Sequence, residues 1–155
     1  MIGRGGFGVV YKASYATSRE EDYRDVAVKV PTRRSRAGIT DSAGFRRAVD
    51  AQLQEAGKLA ALPPHPNVLC PIASYPHDDL GMLIVMEVAD GGTLREWLKS
   101  DGARDGLARL RVLTEICRGL AHLHDLGFAH QDMKPGNVLM FSSSSGGGGA
   151  RLEAR

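Results

Sequence analysis

Hydrophobic and polar residues alternate in two early stretches of the chain, as they do in half-buried β-strands. Residues 9–13 follow this pattern, and residues 26–30 repeat it after a charged stretch at 14–25. The pattern predicts two strands joined by a long hairpin connection. Two more strands are predicted at 68–73 and 82–88, with a polar turn between them.

Helical spacing of apolar residues replaces this alternation in three other places. A helix is predicted over residues 42–62, where Pro63 stops it, and a short one over 94–99, with the preceding threonine as its N-cap. The longest is predicted over 107–126 and ends at Gly127. Its apolar stripe consists of Leu110, Leu113, Ile116, Cys117, Leu120 and Leu123.

The succession of elements predicts an α+β fold with two lobes. Strands with one helix come first and helices follow, with a joint near Asp90 where Gly91 interrupts the pattern. Four serines and four glycines in residues 142–149 form a linker with nothing to bury. The predicted boundaries are a first lobe at 1–86, a hinge at 87–92, the start of a second lobe at 93–141, a linker or insertion at 142–150 and a tail at 151–155.

Composition narrows the function classes. The chain has 155 residues, is 43% hydrophobic and 25% charged, and carries a net charge of +2, which argues against nucleic-acid partners. Cys70 and Cys117 lack a CxxC partner, so neither a disulfide framework nor a zinc site is predicted. Apolar runs fall short of the roughly 18 residues that span a bilayer. We expect a cytoplasmic protein, or the cytosolic part of a longer membrane protein.

A glycine-rich segment, Gly3-Arg4-Gly5-Gly6-Phe7-Gly8, opens the chain. By itself this G-x-G-x-x-G pattern is compatible with a phosphate-binding hairpin, a dinucleotide-binding fold or an ordinary turn. A dinucleotide-binding segment must run into a helix, whereas here a strand continues after the last glycine. The pattern therefore favours a hairpin whose backbone N–H groups approach phosphate oxygens.

Two charged side chains follow in the predicted strands and first helix. Lys29 shares a strand face with Ala27, where a lysine could reach phosphates, although a solvated strand lysine is the plain alternative. Glu55 in the first predicted helix could hold the Lys29 ammonium in an ion pair. A surface glutamate is the alternative.

The segment that follows the longest helix carries three kinds of catalytic group. Asp132 could orient a hydroxyl, Lys134 could neutralise charge on a phosphoryl group, and Asn137 could ligate magnesium through its amide oxygen. A random polar loop would seldom combine all three. This spacing favours phosphoryl transfer.

In order from residue 2 to about 141, these motifs resemble a eukaryotic protein kinase domain of the Ser/Thr type. The glycine-rich strand, the Val26-Ala27-Val28-Lys29 strand and His65-Pro66-Asn67-Val68 carry the likeness together with Met86-Glu87-Val88-Ala89 and the loop from His130 to Leu139. The run from Gly3 to Ala13 is also similar to plant and tyrosine-kinase-like families. The resemblance implies an antiparallel-sheet lobe with one helix and the beginning of a helical lobe.

The resemblance also implies ATP and Mg²⁺ as cofactors and a protein as substrate. Asp132, Lys134, Asn137, Lys29 and Glu55 would be catalytic, with Asn137 as the metal ligand. Met86 would close the back of the adenine pocket. The residues implied in nucleotide binding are Ile2, Gly3, Arg4, Gly5, Gly6, Phe7, Gly8, Val10, Ala27, Lys29, Met86, Glu87, Ala89 and Leu139.

Two departures from the family pattern qualify these expectations. The D-F-G element, whose aspartate would bind magnesium, does not occur in the 155 residues, so we expect this stretch alone to be inactive and part of the 107–126 stripe to be exposed. Gln131 stands where many kinases have arginine. Because a neutral amide cannot pair with a phosphate, we predict activity independent of activation-loop phosphorylation.

Functions of other classes remain as alternatives. The chain could be a catalytically dead nucleotide-binding or scaffolding fragment, similar to a pseudokinase. Retention of Lys29, Asp132 and Asn137 favours descent from an active enzyme. An NAD-dependent Rossmann enzyme is disfavoured because no β-α-β unit follows the glycines.

Overall fold

A computed structural model of the chain describes residues 1–4, 8–16, 23–31, 47, 49–50, 54, 57–78, 80–141 and 149–153. The chain forms two compact units. The first consists of residues 1–62 with 71–88, and the second of residues 63–70 with 89–155. The division after residue 88 lies inside the predicted hinge. Residues 63–70, which the sequence placed in the first lobe, cluster with the second unit.

The first unit contains a five-stranded sheet in which every neighbouring pair is antiparallel. Its strand order is β1-β2-β3-β6-β5. The strands are β1 (Gly3–Arg4), β2 (Gly8–Ala16), β3 (Tyr23–Pro31), β5 (Ala73–His77) and β6 (Gly81–Glu87). Val26, Met82 and Val85 are among its buried residues. The predicted antiparallel sheet is confirmed.

The hairpin between β2 and β3 has longer strands than its charged sequence suggested. The ladder continues through Ser14 opposite Asp25 to Ala16 opposite Tyr23, which leaves a connection of only residues 17–22. Lys12 and Asp25 form an ion pair of 2.7 Å across the two strands. Cross-strand pairs of opposite charge stabilise a sheet, so charge in a sequence does not exclude a strand.

Only parts of the first predicted helix lie in the described residues. Residues 47, 49, 50, 54 and 57–60 are helical, and we name the last of these stretches α1. Val49 and Leu59 are buried, in keeping with the predicted apolar face. Glu55 and the remaining positions lie outside the described residues.

The second unit combines helices with a small sheet. Its α-helices are α2 (Leu94–Trp97) and α3 (Gly106–Asp125), and its described 3-10 helices are Asp101–Arg104 and Pro135–Asn137. The sheet has the order β4-β8-β7, with β4 (Val68–Leu69), β7 (Val138–Phe141) and β8 (Gly149–Glu153). β8 pairs with β4 in parallel and with β7 antiparallel.

Two sequence expectations differ from this sheet. The single strand predicted over 68–73 is two strands, of which β4 belongs to the second unit and β5 to the first. The predicted linker at 142–150 and tail at 151–155 overlap β8, which has a partner on each side. A five-residue segment has little tendency to form a strand alone, so its structure depends on neighbours distant in sequence.

Helix α3 has the ends that the sequence predicted. Asp105 accepts a hydrogen bond from the Leu107 N–H at its start, and Gly127 adopts a φ of 80° after its end. Val112, Ile116 and Leu123 are buried, whereas Leu107, Leu110 and Leu113 are more than half exposed. The predicted exposed portion of the stripe is thus present. Among the described helices, none is both long and apolar enough to cross a bilayer.

Candidate functional site

One face of the first sheet carries four of the predicted nucleotide-binding residues. Val10 lies opposite Lys29, and Ala27 lies opposite Met86. Residues opposite each other in an antiparallel pair share a face, and residues two apart in a strand do as well. The register therefore brings the lysine, the small residue and two apolar side chains onto one surface. Lys29 is half-buried there, while Ala27 and Met86 are buried.

The glycine-rich segment begins this surface as a pair of strands. The Ile2 N–H donates to the Val10 carbonyl at 2.8 Å, and Gly3 and Arg4 pair with Val10 and Val9. Gly8 approaches the backbone of β3 so closely that a Cβ would lie 2.8 Å from the Val30 carbonyl oxygen. Only glycine fits this approach.

Gly5, Gly6 and Phe7 lie outside the described residues. The strand that the sequence required after the glycines is confirmed as β2.

The other predicted nucleotide-binding residues occupy separate places. Glu87 ends β6 opposite Val26, one residue along from the Ala27–Met86 pair, and is exposed. Ala89 belongs to the second unit. In that unit Leu139 lies in β7 and forms an isolated bridge with Thr93. Their contacts with a nucleotide stay predictions.

The backbone directly before Asp132 has an unusual conformation. Gln131 adopts a φ of 56°, the left-handed region that residues other than glycine rarely occupy. The turn is closed by the Asp132 N–H, which donates to the His130 carbonyl at 2.7 Å. Such conformations cost about 1–3 kcal/mol and cluster at functional sites. This conformation could not be predicted from the sequence, since glutamine rarely adopts it.

His130 lies beneath this turn and is only 3% exposed. Its Nδ1 is 3.4 Å from the Asp132 backbone nitrogen, and its Nε2 has no hydrogen-bond partner among the described residues. Its burial fits a packing role under this turn.

Asp132, Lys134 and Asn137 meet in one cluster. The Lys134 Nζ donates to both Asp132 carboxylate oxygens, at 2.9 Å and 2.7 Å. The Asn137 Nδ2 donates to the same carboxylate at 2.8 Å and to the Asp132 carbonyl at 2.6 Å. Asn137 is 4% exposed, whereas about a third of the Asp132 side chain is exposed. The carboxylate is therefore fixed on its inner side and open to solvent on the other.

Local structure holds this cluster in place. Pro135 begins the 3-10 helix Pro135–Asn137, since its fixed φ suits a first helical position. The Asn137 N–H donates to the Lys134 carbonyl at 2.9 Å, and Val138 after it is almost fully buried. Strand β7 then returns to Gly92, whose carbonyl accepts the Met140 N–H at 2.9 Å. The loop that carries Asp132, Lys134 and Asn137 is thus anchored directly after Asn137.

This cluster can perform two kinds of chemistry. A carboxylate held by charge-assisted hydrogen bonds can orient a hydroxyl and accept its proton. The Asn137 amide nitrogen donates to Asp132. Its Oδ1 is an amide oxygen, and magnesium binds oxygen ligands. The residue fits as one ligand of such an ion. Within the described residues, no three His, Cys, Asp or Glu side chains come together as a metal site.

Some residues that stabilise the site were not found from the sequence. The Asn67 Nδ2 donates to the Ala150 carbonyl at 3.0 Å, and Glu115 accepts the Ala150 N–H at 2.7 Å. Both bonds anchor β8, which pairs with β7, the strand that follows Asn137. Their partners are 83 and 35 residues apart in sequence, so no local pattern could have indicated them.

The chain matches the family model of the protein kinase domain over residues 1–146. This range includes the glycine-rich strands and the complete Asp132, Lys134 and Asn137 cluster.

Relatives from bacteria and plants are similar along most of the chain. The serine/threonine-protein kinase PknD of Mycobacterium tuberculosis is 30% identical over 92% of this chain and 20% of its own length. The serine/threonine-protein kinase PrkC of Bacillus subtilis is 31% identical over 90% and 20%. The Arabidopsis thaliana L-type lectin-domain containing receptor kinase V.9 is 30% identical over 94% and 20%. The chain spans about a fifth of the length of these curated relatives.

Proposed function

Because the chain belongs to the protein kinase family, we propose that it carries nucleotide-binding strands and the catalytic loop of an ATP-dependent protein serine/threonine kinase. Such an enzyme transfers the γ-phosphoryl group of ATP to a serine or threonine hydroxyl. The observation that carries the proposal is the cluster of Asp132, Lys134 and Asn137, in which a partly exposed carboxylate accepts hydrogen bonds from the lysine and the asparagine.

Asp132 is proposed to bind and orient the attacking hydroxyl. Its carboxylate accepts hydrogen bonds from Lys134 and Asn137 and is about a third exposed, so a substrate hydroxyl could also donate to it. Positioning of this kind supplies much of the rate enhancement in phosphoryl transfer, because there is little covalent chemistry for the protein to perform.

Lys134 and Asn137 are proposed to act on the phosphate side of the reaction. Lys134 would compensate negative charge on the transferred group from its position on the Asp132 carboxylate. Asn137 would contribute its Oδ1 to a magnesium ion. When bound with ATP, the ion would neutralise charge on the phosphate oxygens.

Lys29 and its neighbours are proposed to bind ATP. The face that holds Val10, Ala27, Lys29 and Met86 combines apolar surface for a purine ring with a cation for phosphates. Gly8 in β2 allows the backbones of β2 and β3 to approach each other closely beside this face. Glu55 is proposed as the partner that orients Lys29.

The proposal is tested in two steps. Binding of Mg²⁺-ATP to the 155-residue chain is measured by calorimetry. Lys29→Met removes a charged contact with the phosphates and is expected to weaken this binding at least tenfold, which corresponds to about 1.4 kcal/mol. Phosphate transfer to serine, threonine and tyrosine peptides is then measured with the protein as the cell expresses it.

Asp132→Asn is the matched variant for the second step, since it keeps the shape of the side chain and removes the charge. We expect it to bind Mg²⁺-ATP like the parent and to lose transfer by about 10²–10⁴-fold, the usual contribution of such a group. Nucleotide binding without transfer by the unmodified gene product would support the scaffolding alternative. Absence of binding would contradict both functions.

A further inference from the structure

Two histidine rings from distant parts of the chain are stacked in the second unit. His65 belongs to the segment 63–70, and His122 lies near the end of α3. Their ring centroids are 4.6 Å apart with an interplanar angle of 18°. His124, two residues further along the same helix, is exposed. Of the two histidines near the end of α3, His122 is the one stacked on His65.

The hydrogen bonds around the stack define where its protons lie. The Asn67 N–H donates to the His65 Nδ1 at 3.1 Å, so this nitrogen must be unprotonated. The His122 Nε2 is 3.1 Å from the Pro63 carbonyl oxygen. Because that oxygen can only accept, the His122 Nε2 carries a proton and donates it. The segment 63–70 is thus held to α3 through the stacked rings and the hydrogen bond from His122 to Pro63. The hydrogen bond from Asn67 to His65 lies within the segment.

We propose that His65 and His122 form a proton-sensitive clasp, which fastens the segment 63–70 to α3 at neutral pH and opens on acidification. The proposal does not depend on kinase activity. It concerns only the second unit, in which both rings lie.

Protonation of His65 opposes the observed geometry in two ways. A proton on Nδ1 would face the Asn67 N–H, so a hydrogen bond would become a contact between two donors. Protonation would also place a positive charge within the field of the Arg118 guanidinium, and like charges repel.

The charges near His65 strengthen this effect. Arg118 and His122 on α3 both act on it, while its own segment 63–70 has no acidic residue that could compensate. In β8, which flanks β4, the described residues Gly149 and Ala150 carry no charged group.

The direction of the pH response follows from the same contacts. Burial, then the fields of His122 and Arg118, lower the pKa of His65 below its usual value of 6.5. The open form therefore binds a proton more readily than the closed form. The clasp has its full stability above pH 6.5, loses it as the pH falls, and loses no more once the pH is below the lowered pKa of the closed form.

Opening of the clasp has a defined structural consequence. The segment continues directly into β4, and the Val68 N–H donates to the His65 carbonyl at 3.1 Å. The Asn67 side chain next to it donates to the Ala150 carbonyl in β8. We expect the amides of Asn67 and Val68 to lose protection from solvent together when the rings separate.

Amide hydrogen exchange in the 155-residue chain tests the proposal. Rates at Asn67 and Val68 are compared between about pH 7.5 and about pH 5.5 after correction for intrinsic exchange, with the His65 ring followed by NMR. The local opening constant is expected to rise by up to about tenfold per pH unit within the window, because opening binds one extra proton. Equal corrected rates at both pH values would overturn the clasp.

Two variants separate the clasp from a general effect of acid. His122→Phe keeps an aromatic ring in the stack and removes the nitrogens that can bind a proton, so the pKa of His65 should rise toward its usual value and the acid response should diminish. His124→Phe makes the same change at the exposed histidine and should keep the parent's response. A full acid response in His122→Phe would also overturn the proposal. If that variant does not fold, the two exchange measurements on the parent chain still decide the question.

Discussion

The two sheets of this molecule are assembled over very different sequence distances. In the first unit β2 pairs with β3 and β5 pairs with β6, each with the next strand along the chain. In the second unit β4 ends at Leu69, and its partner β8 begins only at Gly149. Local pairs can form from the strand pattern alone, whereas the small sheet needs tertiary anchors to bring its strands together. Its stability should therefore depend on a few side chains.

The largest expected effect concerns the helix that supports the small sheet. Leu123 on α3 is 2% exposed, and Leu123→Ala should destabilise the second unit by about 2–5 kcal/mol through lost burial and a cavity. Leu110→Ala on the same helix is the matched control, since Leu110 is 61% exposed and its loss should change stability by no more than about 0.5 kcal/mol. Urea unfolding followed by circular dichroism measures both. Equal losses would mean that the exposed stripe is covered.

A backbone collision tests the first sheet in the same way. Gly8→Ala would place a Cβ 2.8 Å from the Val30 carbonyl oxygen, and the β2–β3 pair should lose about 1–3 kcal/mol. In Gly3→Ala the new Cβ would lie 3.7 Å from the Val10 Cβ, its nearest neighbour among the described residues, so this change should be neutral or slightly stabilising. Thermal unfolding of the two variants provides the comparison. A stable Gly8→Ala protein would contradict the close approach of these strands.

The anchor between β4 and β8 is tested through Asn67. Asn67→Asp keeps the size of the side chain but has no N–H to donate to the Ala150 carbonyl. We expect a loss of about 1–3 kcal/mol, because a buried carbonyl then lacks its partner. Exchange rates of the β8 amides should rise more than those of β2 and β3. A uniform rise would show that the small sheet has no separate anchor.

The smallest effect is expected at the start of α2. Thr93 and Glu96 form a capping box, in which the Thr93 N–H donates to the Glu96 carboxylate at 2.8 Å. Hydrogen bonds from the Thr93 backbone and then its hydroxyl lower the pKa of Glu96 below its usual 4.5. This stabilisation is present above pH 4.5 and is lost as the pH falls through the lowered pKa.

Trp97 is the only tryptophan and lies in α2, so its fluorescence reports on this helix. Thr93→Ala should weaken α2 by about 1 kcal/mol. Glu96→Gln should make the signal insensitive to acid in the same range. If Glu96→Gln shows the parent's acid transition, another group controls the helix.

Much of the first sheet could be predicted because its information is local. Alternation predicted β2 and β3 and placed Ala27 and Lys29 on one face, and a further strand was predicted where β6 lies. The pairing of Val10 with Lys29 and of Ala27 with Met86 is a finding of the structure. The predicted extent of the β2–β3 hairpin was wrong, since Asp25, which forms an ion pair with Lys12, lies in the strand ladder and not in the connection. Charged residues on an exposed sheet face do not differ from loop residues in a sequence.

The predicted catalytic loop was predictable in its residue types but not in its conformation. The spacing of Asp132, Lys134 and Asn137 suggested a cluster, and the three side chains do meet. The left-handed backbone of Gln131 and the burial of His130 depend on the structure around them. The sequence likewise gave no reason for β8, because its partners are chosen by packing over long distances. The metal and nucleotide roles stay predictions.

The pairing of β7 with β8 has a practical consequence for engineering. Phe141 lies opposite Gly149, so residues 142–148 connect two points that the sheet holds about 5 Å apart. Loop-closure entropy grows only with the logarithm of length, and doubling such a connection costs about 0.6 kcal/mol. A peptide tag or a reporter inserted among these serines and glycines should therefore leave the sheet intact, which makes this position suitable for labelling the protein.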